Sequence, residues 1–353
     1  MKVNHEALER LIEGTFRGMG CEEAEATCVA DHLVQANLAG HDSHGVIRTK
    51  AYVEWLRDGK MHVGRTLEVV LDSGALAVVD GQMGIGQWVG LQAMELAIAK
   101  CREQGTAVVA LRNAGHVGRI GHWAEMAAAE GMVAVQFVNT TGSGMFTVPF
   151  GGRERRLSIN PLTFGIPVAN GRPVILDIAT AVTAEGKLQV ARNKGAKVPD
   201  GWIVDAEGKP TNDPNEFYGP PFGAILPFGG YKGYGLCLVT EILSGALTGG
   251  ECSQFGKKRL EQNMLTLLID PGKLGTAESF EAECSRFLEF VKSSPPAEEG
   301  GEVLTPGELE DRNRAERKRD GIELDETTWA QICETAESCG VERALMEGVE
   351  VKA

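Results

Sequence analysis

The sequence predicts an α/β protein with several lobes, and three observations lead to this prediction. Apolar residues recur at helical spacing over the first 60 residues and again near the end of the chain. Helical patterns alternate with short apolar runs over residues 66–139. From residue 139 to about residue 230 the chain is rich in Gly, Pro and Asn, with short strand-like runs. We expect the two helical ends to pack together around this mixed middle.

The first half of the chain shows a clear order of elements. Three helices are predicted over residues 5–20, 22–40 and 47–59, and a glycine ends each of them. Two short strands around a Ser-Gly turn follow over residues 66–81. The next predicted elements are a helix over 87–105, a strand over 106–113, a helix over 122–131 and a strand over 132–139.

The second half shows fewer regular patterns. Short strands are predicted over residues 173–179 and 202–205. An apolar helix over 234–249 and an apolar strand over 263–270 come next, and residues 293–301 form a surface loop or linker. A last helix over 306–321 is indicated by a proline at its start, acidic residues in its first turn and basic residues in its last.

The composition narrows the class of partner. With 353 residues the chain can bury a sizeable core, and its formal net charge of −14 disfavours nucleic acid or an anionic membrane as a partner. No run reaches the ~18 apolar residues of a membrane helix, and the N-terminus lacks the apolar stretch of a signal peptide. The eight cysteines are scattered without a C-x-x-C pair. We therefore expect a cytoplasmic protein in which an anionic ligand needs a local basic pocket.

One segment imitates a dinucleotide-binding fingerprint. Gly84, Gly86 and Gly90 follow an apolar strand, but their G-x-G-x-x-x-G spacing is one residue longer than the Rossmann pattern. The next strand ends in Arg-Asn rather than in an acid that could hold a ribose. We interpret the glycines as a turn that lets the following helix pack closely. No phosphate-binding G-x-x-x-x-G-K-[ST] motif occurs.

Residues 41–48, HDSHGVIR, form the first group that could carry chemistry. A metal pair of His41 and His44 lacks a third ligand at a readable spacing, so no metal site is expected. An acid–base role fits better, with His44 exchanging a proton, Ser43 orienting it and Arg48 binding a carboxylate bidentately. The alternative is structural: Ser43 caps the next helix and backbone groups satisfy His44. The residues alone leave both open.

Other candidate residues lie in the glycine-rich segments. His116, Arg119 and His122 are interleaved with glycines, so backbone could approach a ligand there and Arg119 could meet a phosphate. The alternative is a tight loop with surface polar residues. Asp177, after an apolar strand, could face a ribose or cap a helix, and Lys232 could bind a phosphate or be solvated.

Several motifs together resemble the malate/L-lactate dehydrogenase family. The resemblance runs in order from about residue 4 to residue 345. The motifs are HDSHGVIR, N-x-GHVGRIG, NTTGSG with VPFGG, RLSINPLTFGIP, DIATAVTAEGK, PDGWIVDAEGKPTNDP, GGYKGYG and LTPGELE. This family also includes sulfolactate, ureidoglycolate and 2,3-diketogulonate dehydrogenases and a piperideine-2-carboxylate reductase.

The resemblance implies a fold and an assembly. It implies an NAD(P)-binding lobe with a mostly antiparallel sheet that is not a Rossmann fold, and a homodimer with the active site near the interface. The expected lobes are a helical domain of residues 1–70 joined by 300–353, an α/β lobe of 71–115 with 225–299, and a cofactor lobe of 116–224.

The resemblance also assigns roles to residues. It makes His44 the proton donor or acceptor with Ser43 in a relay, and Arg48 the carboxylate binder. In some members the histidine that matches His116 is the base, so His116 stays a second catalytic candidate. NAD or NADP is expected at His116, Val117, Gly118, Arg119, Ile120, Asp177, Ile178, Ala179, Lys232, Gly233, Gly307 and Glu308.

One position departs from the family pattern. The resemblance places Ile159 and Asn160 at the substrate. Members commonly carry Thr where this chain has Ile159, so a hydroxyl that could touch the substrate is missing. The implied activity is interconversion of a small 2-hydroxy acid and its 2-oxo acid by hydride transfer. The alternatives are reduction of a cyclic or N-alkyl imino acid and a catalytically idle dinucleotide-binding sensor. The sequence leaves open which acid is used, the direction, and the choice between NAD and NADP.

Overall fold

A computed structural model of the chain describes residues 1–169 and 171–351 and shows a mixed α/β protein. The helices are α1 (His5–Gly18), α2 (Glu23–Leu38), α3 (Thr49–Arg57), α4 (Gly86–Gln104), α5 (Gly121–Ala129), α6 (Glu185–Asn193), α7 (Pro214–Tyr218), α8 (Tyr231–Glu241), α9 (Ala277–Lys292), α10 (Glu308–Asp320), α11 (Glu326–Ser338) and α12 (Arg343–Glu347). Among these described helices, none is long and apolar enough to cross a membrane.

Within residues 1–169 and 171–351 the strands form one large and two small sheets. They are β1 (Lys2–Val3), β2 (Glu68–Ser73), β3 (Leu76–Asp80), β4 (Thr106–Ala114), β5 (Val133–Thr140), β6 (Leu162–Ile166), β7 (Val174–Ile178), β8 (Ile203–Val204), β9 (Pro210–Thr211), β10 (Ala224–Ile225), β11 (Gln262–Ile269) and β12 (Ile322–Glu323). The small sheets pair β1 with β12, and β8 with β9 and β10.

The large sheet is open and mostly antiparallel. Its seven strands lie in the order β2-β3-β4-β11-β5-β6-β7, and only β3 and β4 run parallel. Helices α4 and α5 cover it, and their buried residues Met94 and Trp123 share a core cluster with Leu268 of β11. The sheet takes strands from both sides of residue 116, where the sequence analysis divided two lobes. The three-lobe division stays a prediction.

The two ends of the chain share one core. Apolar residues of α1 at helical spacing, Leu8, Leu11 and Phe16, are fully buried against α2 and against Ile332 of α11. Strand β1 pairs with β12, so that Lys2 lies opposite Glu323. The expectation that the helical ends pack together is confirmed by these contacts.

The glycine turn before α4 serves close packing. A Cβ at Gly86 would lie 2.2 Å from the carbonyl oxygen of His116, and one at Gly90 would lie 2.8 Å from the Trp123 ring. Any side chain there would push α4 away from its neighbours. This geometry agrees with the steric interpretation of the G-x-G-x-x-x-G segment.

Candidate active site

The HDSHGVIR segment contains two short 3₁₀ turns between α2 and α3, and the side chain of Asn37 holds them in place. The backbone N–H of Val46 donates to Asn37 Oδ1 at 2.8 Å, and Asn37 Nδ2 donates to Asp42 Oδ1 at 2.6 Å. A Cβ on Gly45 would lie 2.1 Å from Asn37 Oδ1. Glycine at this position therefore lets Asn37 fix the turn that carries His44.

His44 lies beside Ser43 and Arg48. The Ser43 hydroxyl is 3.1 Å from His44 Nδ1, and Arg48 Nε donates to the Ser43 carbonyl oxygen at 2.6 Å. Burial, reinforced by the positive charge of Arg48, lowers the pKa of His44 to about 3. Ser43 makes no capping bond to α3, which begins after Arg48. The structure thus brings Ser43, His44 and Arg48 into contact with one another through Ser43.

His116 reaches the same place from the loop between β4 and α5. Its ring stacks on His44, with centroids 5.6 Å apart and planes inclined by 21°. Tyr52 on α3 places its hydroxyl 2.5 Å from His116 Nδ1, and Gln87 Nε2 on α4 donates to that hydroxyl at 2.9 Å. Burial, with the charge of Arg48 next, holds the pKa of His116 well below its usual value.

Tyr52 and Gln87 are site residues that the sequence analysis missed. Tyr52 follows Arg48 by four residues, which places both on one side of the helical segment, and this spacing is the signal that could have found it. Gln87 comes from a distant element, and no local pattern marks it. Burial raises the pKa of Tyr52 to about 12, so this hydroxyl keeps its proton at neutral pH.

A small cavity adjoins His116. Its volume is about 140 Å³. It is lined by Trp55, Lys60, Met61, Met83, Gly115, His116, Ser143, Lys258 and Leu260. A larger cavity of about 590 Å³ lies beside the start of β7, and none of the predicted site residues lines it. We place the candidate site at the smaller cavity because its wall includes His116.

Arg119 is enclosed by protein. Only 2% of it is exposed, and its Nη2 pairs with Glu125 at 2.5 Å while its backbone N–H donates to His32 Nε2 at 3.0 Å. The ring of His122 lies 4.4 Å from that of His32. The guanidinium that was expected to meet a phosphate is therefore buried and paired with Glu125 through Nη2, while Nε and Nη1 have no hydrogen-bond partner among the described residues. The neighbouring positions Val117, Gly118 and Ile120 are buried as well.

The other predicted cofactor segments gather around β7. Asp177, within β7, accepts a hydrogen bond at 2.7 Å from the backbone N–H of Gly121 at the start of α5, a helix that precedes Asp177 in the chain. The N–H of Ile175 donates to Pro306 in the turn that holds Gly307 and Glu308. The structure thus brings residues 116–121, 175–179 and 306–308 together.

Lys232 and Gly233 reach this group from α8. The backbone N–H of Phe228 donates to the carbonyl oxygen of Thr180, which directly follows Ile178 and Ala179 in the chain. The backbone N–H of Gly233 in turn donates to the carbonyl oxygen of Phe228. Lys232 is exposed, and it makes no ion pair within residues 1–169 and 171–351. Glu308, by contrast, accepts hydrogen bonds from Lys292 and Thr305.

Asn160 belongs to a buried polar network. It is fully buried, with a positive φ of 38°, and its Oδ1 accepts the backbone N–H of Thr140. Its Nδ2 donates to the buried carboxylate of Glu241 and to the Cys237 carbonyl. These hydrogen bonds hold the loop that carries Ile159, and the contact of Asn160 with substrate stays a prediction.

Ile159 packs against a small apolar cluster. Its side chain lies against the cluster that contains Leu188 of α6 and Ile203 of β8. Its carbonyl accepts hydrogen bonds from both the N–H and the hydroxyl of Thr180. A Cβ added to Gly186, at the start of α6, would lie 3.5 Å from Ser43 Cβ, so this cluster adjoins the turn that carries Ser43.

The chain belongs to the malate/L-lactate dehydrogenase family, whose model matches residues 3–333. The class defined by fold and site is therefore that of a hydroxyacid dehydrogenase, an oxidoreductase. Hydroxycarboxylate dehydrogenase B of Escherichia coli is 40% identical over 98% of this chain and 96% of its own. The solved sulfolactate dehydrogenase of Methanocaldococcus jannaschii is 38% identical and covers 99% of each chain, with a TM-score of 0.88.

A further solved relative is named as a reductase rather than as a dehydrogenase. The Δ1-piperideine-2-carboxylate reductase of Pseudomonas syringae is 30% identical, with a TM-score of 0.82 over 95% of this chain and 99% of its own. A nicotinamide dinucleotide is the cofactor that this family implies. The residues around β7 fit such a group in chemistry, since Lys232 offers an exposed ammonium and Asp177 keeps one carboxylate oxygen without a described hydrogen bond.

Proposed function

We propose that the protein is an NAD(P)-dependent dehydrogenase that interconverts a small 2-hydroxy acid and its 2-oxo acid. The observation that carries this proposal is the side-by-side placement of neutral His44 and the cationic Arg48 near a small cavity. A proton carrier next to a carboxylate-binding cation is what this reaction needs at its 2-position. Protonated His44 and Arg48 would give an anion a positive site in an acidic protein.

The proposed roles of Arg48, His44 and Ser43 follow from the atoms that each can offer to the substrate or to a proton. Arg48 uses Nε on the Ser43 carbonyl and makes no other hydrogen bond within the described residues, so its two Nη groups can clamp the substrate carboxylate. His44 gives a proton to the substrate oxygen during reduction and takes it back during oxidation. The Ser43 hydroxyl can donate to or accept from His44 Nδ1 and so supports both states. The nicotinamide, when bound, supplies or accepts the hydride.

For the cofactor we propose a non-Rossmann mode of binding along the segments around β7, with Asp177 and Lys232 as polar contacts. The mostly antiparallel sheet and the steric use of Gly86 and Gly90 support this mode. Either NAD or NADP fits this proposal. Isothermal titration of NADH and NADPH against Lys232→Met tests it, with exposed Lys318→Met on α10 as the matched control.

We propose a homodimer whose interface includes α8. Tyr231, Leu236, Val239, Ile242 and Leu247 are large apolar residues exposed on or just after this helix. A monomer rarely leaves so much adjacent apolar surface in water. Sedimentation velocity of the purified protein tests this, and a Val239→Glu protein that sediments like the wild type would exclude α8 from the interface.

The reaction itself is tested by a substrate panel. NADH and NADPH oxidation is measured with pyruvate, oxaloacetate, sulfopyruvate, 2-oxoglutarate, oxalurate, 2,3-diketogulonate, and pyruvate with methylamine. Turnover on an oxo acid that His44→Ala abolishes supports the proposal. Turnover only in the presence of methylamine favours the imino acid reductase, for which the named piperideine-2-carboxylate relative is a reason to test. Binding of NADH without turnover of any substrate in the panel favours the idle sensor.

A further inference from the structure

We propose that Tyr52 and Gln87 hold His116 in the tautomer with its proton on Nε2, so that His116 donates a hydrogen bond to the substrate oxygen and only His44 exchanges the proton. This inference rests on the proposed function, because it assigns separate roles to the two stacked histidines. The hydrogen-bond partners of a single atom, His116 Nδ1, determine the tautomer of His116.

Two groups converge on His116 Nδ1, and one of them can only donate. The backbone N–H of Gly118 points at this nitrogen from 3.3 Å. An amide N–H cannot accept a hydrogen bond, so Nδ1 must offer a lone pair. The Tyr52 hydroxyl oxygen lies 2.5 Å from the same nitrogen. With the Nδ1 lone pair facing it, this hydroxyl must donate.

Gln87 makes this orientation of Tyr52 favourable. Its Nε2 donates to the Tyr52 oxygen at 2.9 Å, and both side chains are fully buried. With the Tyr52 proton directed at His116, the phenol oxygen has only lone pairs to offer to Gln87. The amide nitrogen, rather than the amide oxygen, therefore belongs on this side. The result is a directed chain from Gln87 through Tyr52 to His116.

The chain leaves His116 with a fixed function. A neutral imidazole that accepts at Nδ1 carries its proton on Nε2, and this nitrogen makes no hydrogen bond within the part of the chain that the structure describes. An N–H fixed before the reaction stabilises negative charge that develops on a carbonyl oxygen. The raised pKa of Tyr52, about 12, keeps the donor protonated through the neutral range.

His44 differs in the freedom of its partner. Its Nδ1 contacts the Ser43 hydroxyl, which can donate or accept. His44 can therefore change its protonation state without losing this bond, whereas a proton on His116 Nδ1 would oppose two donors. The geometry thus assigns proton transfer to His44 and the hydrogen bond to His116.

The tautomer is measured by two-dimensional ¹H–¹⁵N NMR of protein labelled with ¹⁵N-histidine at neutral pH, with His116 assigned from a His116→Gln sample. We expect the wild-type ring with a protonated Nε2 and an unprotonated Nδ1. In Tyr52→Phe only the longer bond from the Gly118 N–H remains at Nδ1, so we expect a mixture of both tautomers. Tyr218→Phe removes a hydroxyl that contacts Glu185, away from His116, and is the matched control. A wild-type proton on Nδ1, or an unchanged tautomer in Tyr52→Phe, overturns the proposal.

Kinetics give an independent measurement. Tyr52→Phe should lower kcat for the oxo acid by about tenfold or more, with KM little changed, because the fixed donor acts on developing charge. The pH dependence that reports His44 should stay as in the wild type. Gln87→Met, which keeps Tyr52, should lower kcat by a smaller factor, again with KM little changed. This variant replaces Tyr52→Phe in the test if Tyr52→Phe does not fold. If the wild-type enzyme turns over no oxo acid, the proposed function fails while the NMR result still decides the tautomer.

Discussion

The imidazole rings of His44 and His116 lie stacked, with centroids 5.6 Å apart and planes inclined by 21°. Each ring comes from a different part of the fold, His44 from the turn before α3 and His116 from the loop before α5. Protonation of His44 makes protonation of His116 less favourable, and burial and Arg48 act in the same direction on both. The pair therefore holds at most one proton near neutral pH, which suits one proton carrier with one neutral neighbour.

Replacing His44 by alanine should cut turnover by about 10²–10⁴-fold, because general acid–base catalysis is lost. Cofactor affinity should stay nearly unchanged, since His44 lies outside the segments around β7. Steady-state kinetics and NADH titration measure the two effects. His5→Ala, at the start of α1, is the control and should keep full activity. An equal loss of NADH binding in His44→Ala would contradict the assigned role.

Replacing Arg48 by lysine should mainly raise KM for the oxo acid, because an ammonium cannot clamp a carboxylate with two parallel hydrogen bonds. We expect an increase of about tenfold or more, in line with the loss of a charge-assisted hydrogen bond. Arg57→Lys, at the exposed end of α3, should leave KM unaltered. If KM of Arg48→Lys also stays at the wild-type value, the carboxylate binds elsewhere.

The two directions of the reaction should depend differently on pH. His44 has a lowered pKa of about 3 in the free protein, so it is neutral in the ordinary assay range. Oxidation needs the neutral base, and its kcat/KM should be flat between about pH 5 and 8. Reduction needs the protonated acid, so its kcat/KM should fall by about tenfold per pH unit over the same range. A reduction profile that is flat below pH 6.5 and falls only above it would refute this.

Adding one methyl group at Gly45 should damage the catalytic turn. Gly45→Ala places a Cβ against Asn37, which must then release Val46 or Asp42. We expect a loss of about 1–3 kcal/mol in the free energy of unfolding, together with lower turnover. Urea unfolding measures the first and steady-state kinetics the second. Gly14→Ala, where the new Cβ meets Val341 at an ordinary 3.6 Å, should cost nothing.

Restoring a hydroxyl at residue 159 should change substrate preference. Ile159→Thr shortens a side chain that packs on the cluster next to Ser43, and it supplies a donor for a polar substrate group. We expect the ratio of kcat/KM between two oxo acids to shift by about tenfold or more. Val182→Thr, a β-branched change in the same cluster, is the control for lost packing. Identical shifts in both variants would show that residue 159 does not touch the substrate.

Much of the fold follows from patterns within single elements. The periods of α1, α2 and α4 and the apolar run of β5 identify these elements without knowledge of their partners. The sequence analysis did not predict β6, α6, α9 or α11. Strand β6 is a five-residue run interrupted by Gly165 and carries only a weak signal. Helix α9 does carry apolar residues at helical spacing, Phe280, Cys284, Phe287 and Val291, and the sequence analysis overlooked this pattern.

The candidate site is predictable only where its residues are neighbours in sequence. Ser43, His44 and Arg48 lie within six positions, so the sequence alone indicates a candidate acid–base group next to a carboxylate-binding cation. Tyr52 and Gln87 become relevant through hydrogen bonds between separate helices. Arg119 and Asn160 look like ligand contacts by residue type, but their burial and internal partners are set by the tertiary structure.

The position of β11 has a consequence for how the chain reaches its native state. This strand pairs with β4 on one side and β5 on the other, although it follows β5 by more than 120 residues. During synthesis, the edges of β4 and β5 that pair with β11 therefore stay unpaired until residue 269 has left the ribosome. Such late, long-range pairing slows folding and exposes strand edges to association. We expect chains that stop before residue 262 to aggregate, however well their helices form.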